Sequence, residues 1–163
     1  MSEAPSPSCS IALRRAGAAD IELLAAIHEQ SARVGYANVF PPDAPFPRGE
    51  ARADILGHLM RGGARAILAA CDGADAGFAI VGPAADPALA PRTGALHLLH
   101  VRPAFWGRGV GARLLAAATD ALVADGHERA VLWVMVGNAR ARRFYEKAGW
   151  RADGATAIER HAV

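Results

Sequence analysis

The stretch that decides the fold runs from residue 101 to residue 115 and reads VRPAFWGRGVGARLL. The apolar segment before it, Ala95–Val101, is typical of a strand, and Pro103 ends that strand because proline has no N–H for a ladder hydrogen bond. Glycines 107, 109 and 111 let the chain curl so that successive N–H groups point at one spot. A helix predicted over Ala112–Ala124 adds a partial positive charge there. Strand, glycine turn and helix in this order predict an anion-binding site.

The glycines by themselves leave the ligand of this turn open. Their alternate spacing matches neither the dinucleotide fingerprint Gly-x-Gly-x-x-Gly nor the Gly-Lys-Ser/Thr of a Walker loop. Phosphate binding and a merely tight strand–helix turn are equally favoured at this point. Arg102, Arg108 and Arg113 lie close to the turn in sequence and would add positive charge to it.

A second motif follows at residues 134–150, which read VMVGNARARRFYEKAGW. Asn138 can cap a helix that Gly149 stops, and Tyr145 falls on the same helical face as Asn138. Asn138 is interpreted equally as a helix cap or as a hydrogen-bond partner for a ligand amide. Core packing explains Phe144, whereas the hydroxyl of a buried Tyr145 needs a partner and favours a function.

The remaining periodicities predict alternating strands and helices within one mixed α/β domain. Asp72-Gly73 between apolar runs indicates a hairpin. The almost wholly apolar run Ala130–Val136 predicts a strand buried on both faces. The predicted strands cover residues 10–15, 65–71, 76–81, 95–101, 130–136 and 157–163, and the predicted helices cover 20–36, 49–60, 112–124 and 138–149.

Both motifs resemble those of the GNAT superfamily of N-acetyltransferases. The first resembles its acetyl-CoA loop, Gln/Arg-x-x-Gly-x-Gly/Ala after a strand ending in Val-x-Pro. Gly109 and Gly111 match, but Trp106 stands at the Gln/Arg position, and Arg108 is interpreted as its replacement. The second resembles Asn-x-x-Ala followed by Phe-Tyr-Glu-x-x-Gly-Phe, with Trp150 in place of the final Phe. The two motifs together cover about Leu96–Trp150.

The resemblance implies an α/β (α+β) fold with a mixed, mostly antiparallel sheet of six to seven strands flanked by about four helices. The fourth and fifth strands would splay apart, and acetyl-CoA, the cosubstrate, would lie in the gap without any metal. We expect a disordered tail over residues 1–9 and one acyltransferase domain over residues 10–163. The implied cofactor-binding residues are Leu99, Val101, Gly107, Arg108, Gly109, Val110, Gly111, Ala112 and Asn138.

The implied reaction is direct attack of a primary amine, most simply that of a small molecule, on acetyl-CoA in a ternary complex. Tyr145 is the expected acid for the departing thiolate. His97, placed by strand alternation on the face of Leu99 and Val101, is the expected base, and a hydrogen-bonded core histidine is the equal alternative. The acceptor would contact Tyr36, Phe40 and Trp133. Acetylation of a protein N-terminus and a non-catalytic acyl-CoA sensor are the competing interpretations.

Composition bounds these interpretations. The 163 residues suit one domain, and 52% hydrophobic content excludes a mostly disordered chain. The net charge of 18 − 16 = +2 gives no reason to expect nucleic acid. Cys9 and Cys71 lack metal-ligand spacing and are expected as reduced thiols. Without an apolar run of membrane length or a signal peptide, we expect a cytoplasmic protein that contacts no membrane. Because the segment after Trp150 is short, completion of the last strand by a partner subunit, in a homodimer, stays open.

Overall fold

The computed structural model describes residues 8–43 and 49–157, without the side chains of residues 49–51 and 59. In this part of the chain five strands form one sheet in the order β1-β2-β3-β4-β5. The strands are β1 Ile11–Ala16, β2 Arg65–Cys71, β3 Ala74–Pro83, β4 Thr93–Val101 and β5 Arg129–Val131. The helices are α1 Ile21–Gly35, α2 Gly49–Arg61, α3 Val110–Ala124 and α4 Ala139–Lys147.

The sheet is mixed, as predicted. Strands β1 to β4 pair antiparallel in sequence order, and β5 pairs parallel to β4. The turn between β2 and β3 has positive φ at Asp72 (50°) and Gly73 (83°). Two consecutive positive φ values match the right-handed twist of a hairpin, so the Asp-Gly prediction is confirmed.

Helices cover both faces of the sheet, each over its own apolar cluster. On one face α3 buries Leu114, Ala118 and Leu122 against the sheet, and on the other α1 buries Leu24 and Ile27. The central strand β3 contributes Ala79 and Val81 to the first cluster and Phe78 and Ile80 to the second. Burial on both sides explains its nearly continuous apolar sequence. Within the described residues, no helix is long and apolar enough to cross a membrane.

Strand β4 contains a bulge at His97. Ile80 pairs with Leu98 and Val81 pairs with Leu96, so His97 is the extra residue between them. Leu96 and Leu99 pack into the α3 cluster, whereas Leu98 packs into the α1 cluster. Strict alternation, which placed His97 on the face of Leu99 and Val101, therefore does not hold across the bulge.

The prediction of six to seven strands is wrong for the described residues, which form five. The predicted strand Ala130–Val136 shrinks to β5, because pairing with β4 stops at Ala95 and Val131. The remainder of that run is not buried on both faces: Trp133 is 66% exposed and Val136 is 76% exposed. This divergence is the predicted splay between the fourth and fifth strands. Residues 158–163 of the predicted last strand, and residues 1–7 of the predicted tail, lie outside the described residues, as do residues 44–48.

Cys9 and Cys71 form a disulfide, with Cα atoms 5.5 Å apart, so the expectation of reduced thiols is wrong for this structure. The antiparallel register pairs Ile11 with Cys71, which brings the two residues before β1 alongside the end of β2. The Asp72 N–H donates to the carbonyl of Ser10 at 2.9 Å and extends the same pairing. Cys9, placed by the sequence at the end of a tail, is thus tied to the sheet.

Candidate active site

A cleft of about 520 Å³ opens where β4 and β5 diverge. One wall is the second half of β4 with the glycine turn and the start of α3. The opposite wall is the segment that follows β5, together with α4, and the end of α1 closes one end. The lining residues are 31–32, 35–36, 96–101, 105–107, 109–112, 132–135, 138, 140–141, 144–145 and 147.

The glycine turn has the geometry of an anion-binding helix start. Gly107 (φ 75°) and Gly109 (φ 85°) adopt the left-handed conformation, and Gly109 is the N-cap of α3. The first N–H groups of α3 have no partner within the helix, and they border the cleft together with the positive end of the helix dipole. A β-carbon on Gly111 would stand 3.5 Å from the ring of Phe144, so the turn and α4 pack closely below the cleft.

Eight of the nine predicted cofactor-binding residues line the cleft, and Arg108 is the exception. The guanidinium carbon of Arg108 lies 5.7 Å from the ring centroid of Phe105. Arg102 donates to the side chain of Gln30 on α1 and does not line the cleft either. The side-chain oxygen of Asn138 accepts the Ala141 N–H at 3.1 Å, so this residue does cap α4.

Trp106 and Arg140 form a stack at the mouth of the turn. The indole N–H of Trp106 donates to the Val101 carbonyl at 2.8 Å, which fixes the ring and occupies one of the strand acceptors expected to pair with CoA. The guanidinium carbon of Arg140 lies 3.4 Å from the centroid of the same ring. Sequence reasoning missed Arg140, because the spacing of two distant motifs does not reveal which side chains meet.

Tyr145, on α4, is one of the residues that line the cleft. Burial, with a smaller contribution from Tyr36, raises the pKa of its phenol to about 12. Its ring packs edge-on against Phe144, with centroids 5.2 Å apart. Tyr145 is therefore held as a protonated hydrogen-bond donor at every physiological pH.

His97 also borders the cleft, and its Nε2 lies 3.1 Å from the Pro83 carbonyl. A carbonyl oxygen can only accept, so Nε2 carries the proton and Nδ1 keeps its lone pair. Burial lowers the pKa of this imidazole from 6.5, although the Pro83 contact opposes the shift. His97 is neutral at pH 7 and has one nitrogen able to accept a proton.

The acceptor end of the cleft lies between α1 and the segment after β5. Of the predicted acceptor residues, Tyr36 and Trp133 line it, whereas the described position of Phe40 does not. Phe40 packs edge-on against Tyr36, with centroids 6.0 Å apart. Val39 lies 3.6 Å from where a β-carbon on Gly137 would stand, so the segment after α1 runs close to the segment after β5.

A buried polar cluster underlies this end of the cleft. The Ser31 hydroxyl is 3.1 Å from Nδ1 of His100, and the rings of His100 and His28 are 4.3 Å apart. Burial lowers the pKa of His28 to about 4 and that of His100 well below its ordinary value, and the charge of Arg52 acts in the same direction on both. Sequence reasoning did not predict this cluster. Its signal was His28 and Ser31 standing three residues apart in an otherwise apolar stripe of α1.

The charges around the cleft are cationic. Arg140 and Lys147 line it, and no Asp or Glu is present among its described lining residues. In the described part of the chain, no group of three His, Cys, Asp or Glu side chains could hold a metal ion. The site thus offers backbone donors, the phenols of Tyr36 and Tyr145, the imidazoles of His97 and His100, and cations.

Comparison with known proteins assigns the class. Residues 25–150 match the model of the Acetyltransferase (GNAT) family, and the chain belongs to that family. PaiA N-acetyltransferase from Thermoplasma acidophilum, solved in complex with coenzyme A, has a similar structure, with a TM-score of 0.73 and 19% identity over 90% of this chain and 93% of that one. A putative GNAT acetyltransferase from Desulfovibrio desulfuricans gives a TM-score of 0.66 and 28% identity over 89% and 87%.

A sequence relative is the mycothiol acetyltransferase of Beutenbergia cavernae. It is 45% identical over 58 residues, which are 36% of this chain. The match spans 20% of the relative, about a fifth of its length.

Proposed function

We propose that this protein is an N-acetyltransferase that moves an acetyl group from acetyl-CoA to a primary amine. The observation that carries the proposal is the cleft itself, which joins a helix-start anion site to a buried phenol and a neutral imidazole. In this proposal the diphosphate of acetyl-CoA accepts hydrogen bonds from the amides of residues 107–112. The pantetheine arm follows the open edge of β4 at Leu99 and Val101. The similar fold of an N-acetyltransferase solved with coenzyme A supports the choice of this cosubstrate.

An amine must lose a proton before it attacks a thioester. For a lysine-like amine of pKa about 10.4 this costs roughly 4 kcal/mol at pH 7.4, whereas for an α-amine near 7.8 it costs less than about 1 kcal/mol. His97 is the proposed base, and Nδ1 is the nitrogen that accepts the proton because Nε2 faces the Pro83 carbonyl. A strand amide near Leu99 then stabilises the oxyanion of the tetrahedral intermediate.

Tyr145 serves the leaving group as a hydrogen-bond donor. Its pKa of about 12 lies above that of an ordinary thiol, about 8.5, so complete proton transfer to the thiolate is uphill by roughly 5 kcal/mol. A hydrogen bond from the phenol to the developing thiolate has no such cost, because it strengthens as charge accumulates on sulfur. We therefore assign Tyr145 the stabilisation of the departing thiolate, with the proton completed from solvent.

The proposed acceptor is a small molecule. Val39, in the segment after α1, lies close to Gly137 on the other side, and in this proposal a compact acceptor end disfavours the open groove that a protein N-terminus requires. The absence of carboxylates among the described lining residues disfavours a polycation such as an aminoglycoside. Tyr36 and Trp133 offer flat, weakly polar walls to a compact amine.

A panel of amines incubated with acetyl-CoA tests the proposal, with release of coenzyme A followed by a thiol reagent and products identified by mass. We expect acetylation of at least one small amine whose remaining groups are neutral or anionic. Acetylation confined to peptide N-termini would assign the protein-directed alternative. Tight acetyl-CoA binding without transfer to any amine would assign the sensor alternative.

A further inference from the structure

Trp106 leaves the proposed diphosphate end of the cleft without a polar side chain at position 106. The motif that this turn resembles carries Gln or Arg at this position, which offers polar hydrogens to a phosphate. The single polar hydrogen of Trp106 is committed to the Val101 carbonyl at 2.8 Å. The residue at position 106 therefore brings neither a cation nor a spare donor to an anion bound at the turn.

The arginines close to the turn in sequence do not fill this deficit. Arg108 stands over Phe105, Arg102 donates to Gln30, and Arg113 is exposed on α3. None of the three lines the cleft as described. A cation that does contact Trp106 comes from the other wall.

Arg140 lies directly on the residue that causes the deficit. Its guanidinium carbon is 3.4 Å from the ring centroid of Trp106, and Arg140, Trp106 and Gly107 line the same cleft. An aromatic face attracts a guanidinium and restricts its movement, while the N–H groups at its edge remain able to bind oxygen. Arg140 thus presents a held, planar donor set beside the α3 start.

We propose that Arg140, held by Trp106, supplies the cationic contact to the coenzyme A diphosphate that residue 106 lacks. The inference rests on the proposed function, because it concerns how that acetyl donor is bound. Two parallel N–H bonds from the guanidinium to phosphate oxygens add to the amides of the turn. Since Arg140 begins α4 and the amides begin α3, the diphosphate then links the two walls of the cleft.

Calorimetry with two ligands tests the contact. Coenzyme A carries the diphosphate, and pantetheine lacks it. We expect Arg140→Gln to weaken coenzyme A binding by roughly ten- to a hundredfold and to leave pantetheine binding unchanged. Arg143→Gln, the same change at an exposed position of the same helix, is the matched control and should alter neither. Thermal melting checks that each variant is folded, and Arg140→Met, which also removes the charge, replaces Arg140→Gln if the latter is not.

A second substitution that restores the affinity for coenzyme A is the strongest test. In the Arg140→Gln background, Trp106→Arg rebuilds the family pattern and should recover most of the lost affinity for coenzyme A. Unchanged coenzyme A affinity in Arg140→Gln would overturn the inference, as would equal losses for coenzyme A and pantetheine. If the wild-type protein itself fails to bind coenzyme A, the proposed function fails with it. If the wild-type protein turns over normally but Arg140→Gln binds coenzyme A as tightly as the wild type does, only the inference about Arg140 fails and the proposed function stands.

Discussion

Tyr145 is the residue whose chemistry is most sharply defined. Its phenol is protonated throughout the physiological range and points into the cleft. Tyr145→Phe removes the proposed donor to the departing thiolate and retains the ring, so we expect turnover to fall roughly a hundredfold. The Kd for acetyl-CoA should change less than threefold, as measured by calorimetry. Equal losses in turnover and affinity would assign Tyr145 a structural role instead.

The pH dependence of kcat/KM tests the proposed role of His97. A base must be neutral to act, and burial lowers the pKa of His97 from 6.5. As the proposed base, His97 should therefore give kcat/KM an acidic limb with its midpoint below 6.5. His97→Gln should lose this limb and roughly ten- to a hundredfold in kcat/KM for an alkylamine. With an α-amine, which deprotonates more readily, the loss of kcat/KM should be smaller. An acidic limb that persists in the variant would exclude His97 as the base.

Among individual residues, those in local motifs could be predicted and those that pair over long distances could not. Tyr145 and the turn glycines are marked by their immediate neighbours in sequence. Arg140 meets Trp106, and His100 meets Ser31, only when separate elements pack together. His97 shows the same limit, because one inserted residue at a bulge undoes the alternation from which its direction was inferred.

At the scale of elements, the start of α3 depends on a conformation that only glycine adopts easily. Gly109 has φ 85°, where a β-carbon costs about 1–2 kcal/mol, and its shift would also turn the first amides away from the ligand. We expect Gly109→Ala to raise the Kd for coenzyme A at least tenfold, by calorimetry, while the protein stays folded.

Gly126 is the matched control for this prediction. It follows the other end of α3 with φ 83°, and no atom lies within 4 Å of an added β-carbon. Gly126→Ala introduces the same backbone strain far from the turn, so it should lower the melting temperature similarly and leave coenzyme A binding intact. If both variants lose affinity alike, strain in α3 and not the turn geometry is responsible.

Most helices and strands were predictable because each buried face has its own period. The main failure, the run Ala130–Val136, is instructive. Its apolar residues are typical of a buried strand, but β4 diverges after Ala95 and leaves those beyond Val131 without a pairing partner. Residues 132–135 line the cleft instead. An opening in a sheet is a property of two strands together, and the sequence of one strand does not contain it.

For the molecule as a whole, the Cys9–Cys71 disulfide closes a loop with a sequence separation of 62. The chain-entropy model gives about 4 kcal/mol for a loop of this length. We expect Cys9→Ala, or reduction of the wild type by a dithiol, to lower the melting temperature by roughly 10 °C. Intact mass with and without a thiol-blocking reagent verifies the bond. Melting insensitive to both changes would show that the sheet needs no such link.

Acid sensitivity of the fold should originate in the buried histidines. Burial holds the pKa of His28 at about 4 in the folded state, against 6.5 when unfolded. Between these values the unfolded chain binds the extra proton, so the free energy of unfolding falls as pH drops and levels off below 4. His28 alone should remove about 2.5 kcal/mol between pH 7 and pH 4.5. His28→Phe keeps a ring against His100 and cannot titrate, so urea unfolding should show a correspondingly smaller loss in this variant. An identical loss in both proteins would place the acid sensitivity elsewhere in the molecule.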